Sequence, residues 1–340
     1  MKEHIIFDKI ELYEKAVETR PISLLPNLLL LSYVALGKQY EKLASYSEQF
    51  LMSNPRINIL VEDFIMLSNL ATNQQSFADI SFRNIHSLDP EEPYSHLLRL
   101  ITESSPEDFM ETKIFLGNNH KELADLFNNV EITAPYNLYR IPEVIGLKDN
   151  IISKIRKTLE ETPANPILRV SLAEALLKTN QVEEAQKEID TVISIYPNYT
   201  RALHIKAKLY QDYLEEEAKG IEIYKKIFEL NPVSPYLKGI EVVFLSEDES
   251  IMVSELKTIF RHDNPFVLYF KENFKKKENE QKTETSKKEK AVKEEPINKK
   301  KNIEIIEEPE LSPLDEGYKH LYQGNHKKAI ESFLKDLKKK

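Results

Sequence analysis

Residue types that commonly carry catalysis or bind metals are scattered along this sequence. The chain has no cysteine, which excludes a thiolate nucleophile and a cysteine-based zinc site. Its histidines are dispersed, and the nearest pair, His320 and His326, is interrupted by a predicted turn, so we interpret both as solvated. Acidic neighbours such as Glu183 and Glu184 point in different directions on a helix. Such neighbours do not form a general acid/base pair.

Sequence motifs for cofactors are also missing. The 7 glycines are spread along the chain and form neither a phosphate-binding loop nor a dinucleotide fingerprint. The zinc-protease pattern HExxH does not occur. We therefore predict a protein that is not an enzyme and that uses no cofactor and no metal.

Length and composition favour helices. A chain of 340 residues is long enough for two or three ordinary domains, or for a repeat array. Glycines and β-branched runs are few, whereas Leu, Glu, Lys and Ala are abundant. We predict an all-α protein.

The stretch 166–232 contains one unit twice, and each copy is an apolar helix, a polar turn, a second apolar helix and a proline. Small residues lie where the two helices of a unit would cross, namely Ala173, Ala185, Ala207 and Gly220. Prolines continue the spacing, because Pro163, Pro197, Pro232 and Pro265 are 34, 35 and 33 residues apart. The same pattern predicts a last helix pair at Tyr236–Leu245 and Ile251–Arg261.

This unit of about 34 residues resembles a tetratricopeptide repeat. The resemblance is closest over 166–232, extends to 24–90 and 233–265, and is weakest over 91–162, where unit lengths differ. It implies an α-solenoid of antiparallel helix pairs, because a single pair cannot bury its own apolar stripe.

Four segments follow from these patterns. We predict an N-terminal helix at 1–23, a repeat array at 24–274 that is irregular at 91–162, a charged disordered linker at 275–310, and an isolated helix pair at 311–340. The linker is rich in lysine and carries almost no residue able to form a core.

The resemblance implies a protein-interaction scaffold. In that family the first helix of each pair lines a concave groove, so we predict that a partner binds there at Lys178, Arg201, His204, Lys208 and Lys238. Cations in a groove suit an acidic peptide or helix as partner. The paired lysines and asparagines of the family's chaperone-tail clamp are not matched.

Charge leaves two alternatives open. Residues 1–274 carry a net charge of about −13, which does not favour nucleic acid as a partner, whereas 275–301 carry about +5. The lysine-rich linker is a possible tether to an anionic surface. The final helix pair is a possible site of oligomerisation, and the sequence does not fix the oligomeric state.

The most apolar stretch, 21–37, is predicted to be a buried helix. It is shorter than the roughly 20 residues of a spanning helix and contains Pro26, Asn27 and Ser32. The first twenty residues lack a secretory apolar region. Together with the lack of cysteine, this predicts a cytoplasmic protein.

Overall fold

A computed structural model describes most of the first 274 residues of the chain. The described ranges are 2–54, 56–102, 148–237 and 239–274, with isolated positions at 112, 115, 116 and 123. The chain divides into two compact units, residues 1–283 and 284–340, and every described residue belongs to the first. The predicted linker at 275–310 and the predicted helix pair at 311–340 lie outside the described residues.

The described residues form helices and turns without a strand, which confirms the predicted class of helical repeat array. The helices are α1 (Glu3–Thr19), α2 (Leu24–Leu36), α3 (Tyr40–Ser53), α4 (Ile59–Ala71), α5 (Gln75–Leu88), α6 (Pro93–Thr102), α7 (Lys148–Glu161), α8 (Pro166–Lys178), α9 (Val182–Ile195), α10 (Thr200–Lys208), α11 (Glu217–Leu230) and α12 (Glu247–His262). A π-helical turn, Leu209–Tyr213, extends α10. Residues 265–274 are also helical.

Helix pairs are joined by turns that share one backbone feature. A residue just before the second helix has a positive φ in four turns: Lys38 at 56°, Asn73 at 60°, Asn180 at 61° and Glu215 at 55°. This left-handed conformation reverses the chain within a few residues. As a result, α2 and α3, α4 and α5, α8 and α9, and α10 and α11 pack as hairpins.

First helices also contact each other along the array, α2 with α4, α4 with α6, and α8 with α10. The buried-helix prediction is confirmed for α2, in which every side chain from Leu25 to Ala35 is buried. None of the helices in the described ranges is both long enough and apolar enough to cross a membrane.

The predicted helix Tyr236–Leu245 is wrong. Only a short 3-10 turn, Ile240–Val243, forms there, after Gly239 at φ 89°. The left-handed glycine prevents a continuous helix, because a positive φ in the middle of the segment breaks the helical path. The second helix of this pair forms as α12, and Ser246 and Glu249 make a capping box at its start.

Helix α12 returns to the beginning of the array and packs on α2. The carboxylate of Glu255 accepts hydrogen bonds from Tyr13 Oη at 2.7 Å and Tyr33 Oη at 2.5 Å, and Lys9 Nζ lies 2.8 Å from it. Burial opposes ionisation of Glu255, but these donors outweigh it and lower its pKa. One carboxylate thus ties three side chains of α1 and α2 to α12.

The small residue predicted at the crossing of α10 and α11 is needed for close approach. A Cβ on Gly220 would lie 2.4 Å from Gln211 Cγ and 3.1 Å from the carbonyl oxygen of Ala207. We expect Gly220→Val to lower the free energy of unfolding by about 1–3 kcal/mol through overpacking, measured by urea denaturation. Ala218→Val, at an exposed position of the same helix, is the control for placing a β-branched side chain in α11 where no neighbour is crowded. Equal losses in the two variants would contradict the packing argument.

Candidate partner-binding face and the buried charge cluster beside it

Two neighbouring first helices, α8 and α10, carry most of the predicted partner-binding residues. Helix α8 starts at Pro166, and the side chain of Asn165 accepts a hydrogen bond from the backbone N–H of Leu168 at 3.1 Å. Helix α10 starts at Thr200, whose backbone N–H donates to the carboxylate of Asp89 at 3.1 Å. The start of α10 is therefore held by a residue from a distant part of the array.

Arg201 lies in the first turn of α10 and is buried, with 2% of its surface exposed. Its Nη1 donates to both carboxylate oxygens of Glu91 at 3.2 Å, and its Nη2 donates to Glu174 and to Ser171 Oγ. Burial opposes its charge, but Glu91 and Glu174 outweigh burial and raise its pKa. This position differs from the prediction that Arg201 faces a partner, because its donors are used inside the protein.

The other side of this cluster is the acidic stretch that follows α5. Tyr199 is fully buried and donates its hydroxyl proton to Glu91, and the hydroxyl of Thr200 donates to Asp89. Burial raises the pKa of Asp89 to about 6, although the hydrogen bonds from Thr200 act in the opposite direction. The cluster therefore joins α10 to the loop between α5 and α6 through buried, mutually satisfied groups.

A second buried pair of acids lies next to this cluster. Asp63, on α4, is fully buried, and neither of its carboxylate oxygens accepts a hydrogen bond from the described residues. Burial and the neighbouring negative charge of Glu92 raise the pKa of Asp63 well above its usual range. The protonated form of Asp63 is therefore favoured in the folded protein, because a second buried negative charge beside Glu92 is energetically costly.

His204, one turn after Arg201, is half-buried and belongs to an aromatic group. Its ring is stacked on that of Tyr236 with 4.9 Å between the centroids, and its Nδ1 lies 3.2 Å from the hydroxyl oxygen of Tyr224. Tyr236 comes from the irregular segment that replaces the predicted helix. His204 therefore lies at the edge of the face formed by α8 and α10.

Lys178 and Lys208 are exposed at the C-terminal ends of α8 and α10. The ammonium of Lys208 lies 3.9 Å from the carboxylate of Asp212, and both side chains are about half-exposed. Lys238 is outside the described residues. Lys178, His204 and Lys208 thus lie on two helices in contact, and we call this surface the lysine face.

A cavity of about 420 Å³ borders the buried cluster, because Glu91 and Thr200 both line it. We call it the junction cleft, and its walls include Glu91, Tyr94, Tyr236, Lys257 and Arg261. Tyr236 lines the cleft and is also stacked on His204, so one aromatic contact links the cleft to the lysine face. Arg261 is exposed and makes no ion pair with another described residue.

Sequence reasoning missed the acids of the buried cluster and the cleft. Two signals were present: Asp63 interrupts an otherwise apolar helix, and Asp89, Glu91 and Glu92 form an acidic run directly after a helix. Among the described residues, no group of three or more histidine or acidic side chains is arranged to hold a metal ion.

Comparison with known proteins agrees with the repeat assignment. Residues 152–209 match the family model for the tetratricopeptide repeat, a range that covers most of α7, all of α8 and α9, and α10. No curated protein sequence matches the chain.

Similar solved structures include a human IFIT1 dimer with m7Gppp-AAAA, at 15% identity, a TM-score of 0.27, and coverage of 97% of this chain and 81% of that chain. A monomeric mutant of IFIT1 with m7Gppp-AAAA is 16% identical, with a TM-score of 0.27 and coverage of 97% and 73%.

Proposed function

We propose that the chain, which matches the tetratricopeptide repeat model over residues 152–209, is a non-enzymatic scaffold that binds an acidic segment of a protein partner along the lysine face and into the junction cleft. Repeats of this kind present side chains from successive first helices on one surface. The proposal assigns partner contacts to Lys178, His204 and Lys208 on that surface.

The observation that carries the proposal is the stacking of His204, on the lysine face, against Tyr236, which lines the junction cleft. A cleft of about 420 Å³ is large enough to hold one or two side chains of a peptide, and its aromatic walls include Tyr94 and Tyr236. A side chain that is buried in an aromatic pocket and surrounded by polar groups is typical of protein interfaces.

Charge favours an acidic partner. In the cleft, the carboxylate of Glu91 is neutralised by Arg201, and Lys257 is paired with Glu241. Arg261 remains exposed at the cleft, and Lys178 and Lys208 are exposed at the C-terminal ends of α8 and α10. A segment that combines carboxylates with an aromatic or aliphatic side chain therefore complements this surface.

Charge reversal of the lysine face tests the proposal. We expect the double variant Lys178→Glu and Lys208→Glu to bind fluorescein-labelled decapeptides of alternating leucine and glutamate at least tenfold more weakly than wild type, because two attractive charges become repulsive. Fluorescence anisotropy measures the affinity, and circular dichroism checks that the helical signal is unchanged.

The matched control is Lys154→Glu with Lys187→Glu, which makes the same change of net charge on exposed positions of α7 and α9. We expect the control to bind within twofold of wild type. Equal losses in both double variants would overturn the assignment to the lysine face. Single-stranded RNA is the competing ligand, since phosphate also pairs with lysine. If wild type binds RNA and the lysine-face variant loses that binding while the control variant keeps it, the proposal of a protein partner is overturned.

A further inference from the structure

A second cavity, of about 380 Å³, lies between α1, α2 and α3, at the N-terminal end of the array. It shares no lining residue with the junction cleft. Its walls include Glu14, Glu18, Asn27, Leu30 and Tyr46, and we call it the α1–α3 cavity. Its chemistry is the opposite of that of the lysine face.

Polar groups in the α1–α3 cavity offer acceptors. Glu14 Oε1 accepts a hydrogen bond from Tyr46 Oη at 2.6 Å and lies 3.5 Å from Lys42 Nζ, so Oε2 remains available. Glu18, one turn further along α1, is exposed and makes no ion pair with a described residue. Two carboxylates on one helical face therefore border the cavity.

Asn27 adds an acceptor that is independent of these carboxylates. Only 4% of its surface is exposed, and it lies within a helix that is otherwise almost entirely apolar. Its amide nitrogen donates to the carbonyl oxygens of Pro21 and Ser23, at 3.0 and 2.8 Å. Its carbonyl oxygen accepts no hydrogen bond from the described residues and remains open to solvent.

Apolar and aromatic groups complete the cavity. Leu30 and Phe50 are buried at its floor, and Val17 and Tyr46 are half-buried. A ligand that fits must therefore combine donors with a hydrocarbon stem. Arginine has both, since its guanidinium carries five donors in a planar fork and its stem packs against apolar surface.

We propose that the α1–α3 cavity is a binding site for an arginine side chain of a protein partner, flanked by aliphatic residues. The guanidinium pairs with Glu14 and Glu18 and donates to the carbonyl oxygen of Asn27, while the stem lies against Leu30 and Phe50. This site goes beyond the proposed function, because it selects a basic segment at a separate part of the array. One chain would then hold two segments of opposite charge.

The probe is a fluorescein-labelled decapeptide with one arginine between leucines, compared with the same peptide carrying citrulline, which has the shape of arginine without its charge. We expect the arginine peptide to bind the full chain at least tenfold more tightly than the citrulline peptide. We expect Glu14→Gln with Glu18→Gln to remove that preference, and higher salt to weaken binding. Equal binding of the two peptides to wild type, or no binding of either, would overturn the proposal.

The matched control is Asp8→Asn with Glu48→Gln, which removes two acidic charges at exposed positions of α1 and α3 outside the cavity. If the control variant loses as much affinity as the cavity variant, the binding comes from general attraction of a basic peptide to an acidic protein. That result would contradict a specific site in the α1–α3 cavity. If Glu14→Gln changes the unfolding temperature, Glu18→Gln alone is the test, because Glu18 has no ion pair to lose. Light scattering tests whether a second copy of the chain occupies the cavity instead. If wild type is a dimer and the cavity variant is a monomer, the cavity is a dimer contact and the proposal is overturned.

Discussion

Replacing Glu91 by methionine is expected to lower the free energy of unfolding by about 3–5 kcal/mol. The substitution keeps the volume of the side chain but leaves the buried guanidinium of Arg201 with Glu174 as its remaining carboxylate. It also removes the acceptor of the buried Tyr199 hydroxyl. The loss is measured by urea denaturation followed by circular dichroism.

A double-mutant cycle isolates the charge pair. We expect Glu91→Met with Arg201→Met to recover most of the loss, because apolar residues of similar size leave no unpaired buried charge. The matched control is Glu184→Met, which breaks an exposed pair with Arg156 and is expected to cost at most about 1 kcal/mol. A Glu91 variant as stable as the Glu184 variant would contradict the role of the buried pair.

Replacing Asp63 by asparagine is expected to stabilise the protein at neutral pH. The amide group has no charge to bury and donates a hydrogen bond to the carboxylate of Glu92, whereas the native carboxyl has no donor among the described residues. We expect a gain of about 1–3 kcal/mol at pH 8, the usual cost of an unsatisfied buried polar group.

The pH dependence gives a second readout. A carboxyl group whose pKa is raised in the folded state binds more protons when folded than when unfolded, so stability is greatest below its ordinary value of about 4 and falls as pH rises toward the folded value. The pKa of Asp63 is raised by burial, by Glu92 and by the negative charges of Glu62 and Asp89. Burial raises the pKa of Asp89 to about 6, so it contributes with the same sign between pH 4 and pH 6.

Asp89 is present in both wild type and Asp63→Asn, so its contribution to the pH dependence of stability cancels when the two proteins are compared. We expect the difference in unfolding free energy to grow as pH rises from 4 and then to level off above the folded pKa of Asp63. Asp63→Leu is the control, because it removes the charge without supplying a donor and should gain less than asparagine. A constant difference across this range would contradict a raised pKa of Asp63.

Periodicity predicted the local part of the fold. The spacing of apolar residues and the ladder of prolines predicted the pairs α2–α3, α4–α5 and α8–α9, because each helix buries a stripe against its neighbours in sequence. The same spacing failed at Tyr236–Leu245, where the positive φ of Gly239 interrupts an apolar pattern of helical period.

The periodicity of apolar residues could not predict contacts between distant parts of the chain. Arg201 is at a position that flanks the packing stripe of α10, which in an isolated pair of helices would be exposed. It is buried because Glu91, 110 residues earlier, faces it. Periodicity describes one helix and its sequence neighbours, and it contains no information about which distant segment covers the remaining face. For the same reason, periodicity could not predict the junction cleft, whose walls come from four separated stretches of the chain.

The return of α12 to α2 has a consequence for how the protein unfolds. An array in which each repeat contacts only its neighbours frays from its ends, one unit after another. Here the hydrogen bond from Tyr13 to Glu255 joins residues 242 positions apart, and Arg56 and Glu229 are paired across 173 positions. Such contacts raise the contact order, which slows folding, and they leave fewer independent ends from which unfolding can begin. The first unit of the chain should therefore melt cooperatively and refold slowly for a helical protein.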